Sequence, residues 1–218
     1  MAIVAAFAVP HPPLIIPAVG NGRERDVQDT IDAYGEAGRR IAELAPETLV
    51  ISTPHSVMYR DYIHISPGSR AHGSFAQFGA PEAAYGCDYD VGFVDALCAA
   101  ADAAGIPAGT EGERDPLLDH ATMVPPHFIG KAWLDDGPRP RVVRMGLSGL
   151  SPAVHYRLGQ CVQAVAQAAF YGRAQQAFAQ AMQTTAVIAA LILLLAAVMA
   201  WRHVPAGGED SADPNEER

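Results

Sequence analysis

The chain has 218 residues, of which 50% are hydrophobic and 18% charged, with a formal net charge of −9. That length holds one good-sized domain, or a domain with an appendage. The apolar content excludes intrinsic disorder for most of the chain, and the acidic balance excludes a nucleic-acid binder, which shows a basic face.

The apolar run from Ile3 to Val9 stops at Pro10 and predicts a buried strand. Asp26 to Leu44 has helical spacing, with Val27, Ile31, Tyr34, Ile41 and Leu44 on one face. Thr48 to Ser52 predicts a second buried strand, ended by Pro54, and the alternation from Asp61 to Ile65 a third. Val91 to Ala104 predicts a helix closed by Gly105, and Arg141 to Met145 a further strand. Ser151 and Pro152 then read as the N-cap and first position of a helix reaching about Ala169. Strands alternating with helices define an α/β fold with a largely parallel or mixed sheet flanked by helices.

Residues 174–201 carry no charge, and Ala181 to Trp201 is long enough to span about 30 Å of hydrocarbon. Trp201 and Arg202 close the run as an interfacial aromatic and a flanking cation do. The expected organisation is a domain over 1–165, a helical connector over 166–180, a transmembrane helix over 181–202 and a disordered acidic tail over 203–218. The N-terminus has no basic region, and Pro10, Pro12 and Pro13 interrupt its apolar run, so it does not read as a secretory signal. Cys87, Cys98 and Cys161 have irregular spacing and suit a reducing compartment. The expected location is cytoplasmic, with membrane association through 181–202.

The chain has no dinucleotide, Walker A, nucleophile-elbow or H-E-x-x-H motif. Its histidines carry the functional signal. His11 follows the first expected strand in Pro10-His11-Pro12-Pro13, and His55 follows the second in Thr53-Pro54-His55-Ser56. Ligands of open α/β sheets bind outside the carboxyl ends of strands, so both rings are candidates for one site. Neutral imidazoles there suit a divalent first-row metal, iron or zinc, and the prolines stiffen both turns. His120, beside Asp119, is a candidate proton-transfer residue or oxyanion donor. His64, His72, His127, His155 and His203 read as structural or surface residues.

Together, the PHPP turn at His11, TPHS at His55 and LDHATMVP at His120 resemble LigB-type class III extradiol ring-cleavage dioxygenases. The resemblance covers residues 1–165 and extends to the Memo-like branch associated with the AmmeMemoRadiSam system, through GSFAQFGAPE, GERDPLLDH and MGLSGLSPAVHYRLG. It implies a non-haem Fe(II) held by His11, His55 and a glutamate, with His120 over the substrate assisting proton transfer. The implied substrate is a small aromatic diol of the catechol type, cleaved by dioxygen. The family's D-H-G motif reads Asp119-His120-Ala121 here, and its later S-G-D-L-S-H motif and glutamate have no counterpart after Ala169. The resemblance therefore implies a domain incomplete at its C-terminal side, with impaired cleavage. The third ligand would come from Glu82, Asp61, Asp88 or a partner subunit. The alternatives are a non-catalytic, Memo-like metal-binding or interaction protein, and a non-functional fusion or truncation product. Residues 174–206 resemble the last transmembrane helix of a major-facilitator transporter.

Overall fold

A computed structural model describes residues 3–132 and 139–203 of the chain. The chain divides into two units, Met1–Phe170 and Tyr171–Arg218. In the first, a short helix α1 (Pro17–Gly20) leads into α2 (Gln28–Leu44) and strand β1 (Thr48–Thr53). Strands β2 (Ile63–His64), β3 (Arg70–Phe75) and β4 (Ala80–Asp88) precede helix α3 (Val91–Ala103) and strand β5 (Ala108–Gly109). Helix α4 (His120–Ala132) and strand β6 (Arg141–Gly146) follow, and helix α5 (Pro152–His203) begins in this unit and continues into the second.

The fold is mixed α/β. Strands β1 and β6 pair in parallel from Thr48 opposite Arg141 to Thr53 opposite Gly146, so their carboxyl ends lie side by side. β2 pairs with β5 in parallel, and β3 with β4 antiparallel. Single bridges tie Ile65 to Met145 and Tyr89 to Val142, which gathers all three pairs around β6.

The alternation of β6 supplies two cores, because successive side chains leave a strand on opposite faces. Val142 packs with Ile15, Ile16, Tyr34, Phe75, Met123 and Phe128. Val143 packs with Ile63, Ile65, Val94, Leu97, Ile106 and Leu158. In the first core α2 meets α4 closely. Tyr34 stacks on Phe128 with ring centroids 4.5 Å apart. A Cβ on Gly38 would stand 2.8 Å from the Phe128 carbonyl oxygen, so only glycine permits this approach.

The helices and strands expected at 26–44, 48–52, 91–104 and 141–145 are present within a residue or two. The strand expected at 3–9 is not. Those residues form no ladder, and Ile3 and Val4 are 45% and 60% exposed. The run is apolar enough for a buried strand, but it joins no sheet, and of its residues only Val9 packs against the first core. The expected strand at 61–65 shrinks to Ile63–His64. Besides the short α1 and β5, the β3–β4 hairpin and α4 lay outside the expectation. The β3–β4 hairpin joins strands rich in Gly and Ala, and α4 contains Pro125 and Pro126, which normally end a helix.

Helix α5 continues beyond the expected end at Ala169 to His203. Among the described residues, it is the one helix long and apolar enough to cross a membrane, and its apolar stretch is unburied. In the second unit Val187, Ile188 and Leu191 to Leu195 are all exposed. The acidic tail expected at 203–218 lies outside the described residues from 204 onward.

Candidate metal centre

Three histidines from three segments converge. His11 Nε2 and His55 Nε2 stand 3.1 Å apart. The ring of His120 lies 4.2 Å from that of His55 and 5.7 Å from that of His11, centroid to centroid. One ligand atom from each ring falls within 4.8 Å of the others.

Each histidine is held by its own local chemistry. His11 follows Pro10, whose carbonyl accepts the Tyr34 hydroxyl at 2.5 Å, and precedes the turn Pro13–Ile15, whose Ile15 is buried. His55 leaves the end of β1, where its backbone N–H donates to Thr53 Oγ1 at 3.1 Å. His120 opens α4 behind Asp119, whose carboxylate accepts the Thr122 N–H at 3.0 Å and the Thr122 hydroxyl at 2.7 Å. Asp119 is thus the helix cap, the role carboxylates fill best where backbone N–H groups are free. Asp119 Oδ1 also accepts the Thr53 hydroxyl at 2.7 Å. Gly73 on β3 lets the chain before α4 come close, since a Cβ there would stand 2.5 Å from the Leu118 carbonyl oxygen.

The rings suit a cation. Two imidazole nitrogens bound at about 2.0–2.1 Å to one ion, at angles between square and tetrahedral, stand about 2.8–3.4 Å apart. The His11–His55 spacing of 3.1 Å falls in that range. Burial, followed by the neighbouring His55, holds the His120 pKa below its ordinary value and so favours the neutral, ligating form. Phe78 packs T-shaped against the His120 ring, with centroids 5.2 Å apart.

A cavity of about 890 Å³ adjoins the cluster, lined among others by His55, His120, Gln77, Tyr85, Asp115 and Arg144. Arg144 is 1% exposed. Its guanidinium donates to the Leu117 carbonyl at 2.8 Å and the Asp115 carbonyl at 3.3 Å, pinning the segment that leads into Asp119 and His120. This fork needs arginine, because a lysine head is a single point.

Among the described residues no carboxylate joins the three rings. Asp88 pairs with Arg70 at 2.7 Å, while Glu82 and Asp61 are exposed. Of the remaining histidines, His155 accepts from Ser148 and sits on the Ser151 carbonyl at the start of α5. His64 is fully buried 3.8 Å from Glu113. Burial pushes its pKa down, so the contact is between a neutral ring and a carboxylate. His127 bonds through Nδ1 to the Tyr85 hydroxyl.

Sequence reasoning did not single out Arg144 or Tyr85, and it read His127 as a structural or surface residue. Arg144 had a signal, a charge inside the apolar strand Val142-Val143-Arg144-Met145. Tyr85 and His127 had none while β4 and α4 went unread.

The family model described as the catalytic LigB subunit of aromatic ring-opening dioxygenase matches residues 5–173. The chain belongs to this family. It is also similar to Protein CA_C1420 of Clostridium acetobutylicum, 30% identical over 170 residues that cover 74% of this chain. The match takes in 35% of that relative, so the chain spans about a third of its length.

Proposed function

We propose that His11 and His55 hold a non-haem Fe(II) and that the adjoining cavity receives a catechol-type diol for extradiol cleavage. The observation that carries this reading is the convergence of His11, His55 and His120 beside a cavity in a chain of the LigB family. When bound, the iron supplies the redox chemistry that joins an aromatic diol to dioxygen. The protein's residues do the rest. His11 and His55 orient their Nε2 atoms toward one point. His120, kept neutral by burial, accepts a proton from a diol hydroxyl and returns it as the ring opens. Phe78 packs against the His120 ring. Among the described residues no carboxylate joins these rings, so under this proposal cleavage is impaired unless a partner subunit supplies the remaining ligand.

The test is aerobic incubation of the iron-loaded chain with a set of catechols, following the absorbance of ring-opened product. Product from the unaltered chain, lost with His120→Gln while iron stays bound, supports the reading. No product from any catechol by the iron-loaded chain contradicts it.

A second reading rests on the donor set itself. Three converging imidazoles are the set that suits zinc, and a metal held that way serves binding without ring cleavage. Zinc binding to three histidines with no catechol turnover favours it.

Helix α5 anchors the domain at a membrane under the same proposal, through its exposed apolar residues after Tyr171. Retention of the full chain in carbonate-washed membranes is the expected result, and release into the wash contradicts it.

A further inference from the structure

We propose that Tyr85 is a substrate-facing hydrogen-bond donor of the metal-centre cavity, oriented by His127, and that it selects an aromatic diol with an accepting oxygen directed toward β4. This rests on the proposed reading of the cavity as the substrate site.

Tyr85 stands on β4 opposite Gly73 of β3, packs against the first core, and is one of the residues lining the cavity that His55 and His120 also line. Its ring packs T-shaped against Phe75, with centroids 6.0 Å apart. His127 lies on α4, seven residues after His120, and its Nδ1 bonds to the Tyr85 hydroxyl. The other ring nitrogen, Nε2, is buried with no hydrogen-bond partner.

That asymmetry sets the direction of the bond. Burial, and then Lys131, bring the His127 pKa down to about 4, so the ring is neutral and carries one N–H. Were the proton on Nε2, a buried N–H would have no acceptor, which costs more than an unfilled lone pair. The proton therefore sits on Nδ1 and is donated to the Tyr85 oxygen. The phenol does not spend its own O–H on His127. Burial also raises the Tyr85 pKa, so the O–H is present at neutral pH. A donor with its lone pair already filled points its hydrogen elsewhere, and the cavity it lines holds the substrate in this reading.

Tyr85 then favours a phenolate, carbonyl or carboxylate oxygen and disfavours a donor at that position. His127 is a positioning residue that acts through Tyr85.

The test uses the full chain in detergent, loaded with redox-inert Zn(II) and titrated with 4-nitrocatechol, whose colour reports its ionisation. Tyr85→Phe is expected to weaken probe binding about tenfold, the scale of one hydrogen bond to a charged acceptor. It is also expected to raise the pH at which the bound probe ionises, with zinc affinity unchanged. His127→Asn, whose amide keeps a donor near the Nδ1 position, is expected to retain probe affinity, while His127→Leu loses it. A long-range proton–nitrogen NMR spectrum of the unaltered, metal-free chain is expected to show the Nδ1-protonated tautomer of His127. An Nε2-protonated ring overturns the proposal without any variant. So does a Tyr85→Phe chain that binds zinc and probe as before. Failure of the unaltered chain to bind zinc at all sinks the metal-site reading and this inference together. Intact zinc and probe binding that is the same in the unaltered chain and Tyr85→Phe sinks this inference alone.

Discussion

The Thr53 hydroxyl donates to Asp119 Oδ1 at 2.7 Å while accepting the backbone N–H of His55 at 3.1 Å. One hydroxyl therefore joins the end of β1, which carries His55, to the cap of α4, which carries His120. Two of the three converging histidines are set relative to each other through this link.

Breaking the link is expected to act on the site more than on the fold. Thr53→Val keeps the shape of the side chain but removes the bond, at a cost of about 1 kcal/mol. Asp119→Ala also removes the helix cap, adding about 1 kcal/mol more. Both variants are expected to fold, with metal affinity reduced further than the melting temperature suggests. Chemical denaturation beside metal titration checks this, and unchanged metal affinity in both removes the link's role.

The close approach of α2 and α4 gives a second expectation. Gly38→Ala puts a Cβ against the Phe128 backbone, which cannot yield as a flexible side chain does. Forced repacking of this kind costs about 1–3 kcal/mol. Gly35→Ala, on the same helix with open space around it, is expected to be neutral or stabilising. Denaturant midpoints compare the two, and equal behaviour contradicts the packing described for Gly38.

Stability is expected to fall on acidification through a defined window. His127 has a pKa depressed from 6.5 to about 4 in the folded chain. Above pH 6.5 both folded and unfolded forms are neutral there, and the full stability is present. As the pH drops below 6.5 the unfolded chain takes up the proton and the folded one does not, so stability declines until about pH 4. His64 and His120, with lowered pKa values, act in the same direction. Thermal melts between pH 8 and pH 4 follow the decline. His127→Asn is expected to make it shallower, and an unchanged slope contradicts the neutral, buried state of His127.

Membrane association has its own test. Ile192→Arg with Leu194→Arg places two charges in the exposed apolar stretch of α5. At the centre of a spanning helix they add about 5 kcal/mol or more to insertion. The double variant is expected to leave the membrane fraction, and its retention contradicts anchoring by this stretch.

Helices α2 and α3 and strands β1 and β6 were legible because apolar periodicity alone determines them. His11 and His55 were legible as a pair, but the reason differs for each. His55 does follow a strand, β1. His11 follows an exposed extended run and is held instead by the Tyr34 bond to Pro10 and the buried turn after it. The proline-rich turn, not the apolar run before it, was the informative signal. The β3–β4 hairpin escaped because its residues are small and half of them face outward. Helix α4 escaped because two prolines lie inside it, where tertiary packing of Met123, Val124 and Phe128 outweighs their cost. With α4 unread, His127 had no face, and its bond to Tyr85 was not visible in the sequence.

The most direct measurement is an anaerobic Fe(II) titration of the detergent-purified full chain beside His11→Ala, His55→Ala and His155→Ala. The expected result is near-stoichiometric binding by the unaltered chain and by His155→Ala, lost in the other two variants. Folded, unaltered chain that takes up no Fe(II), or binding indifferent to His11 and His55, contradicts the metal centre.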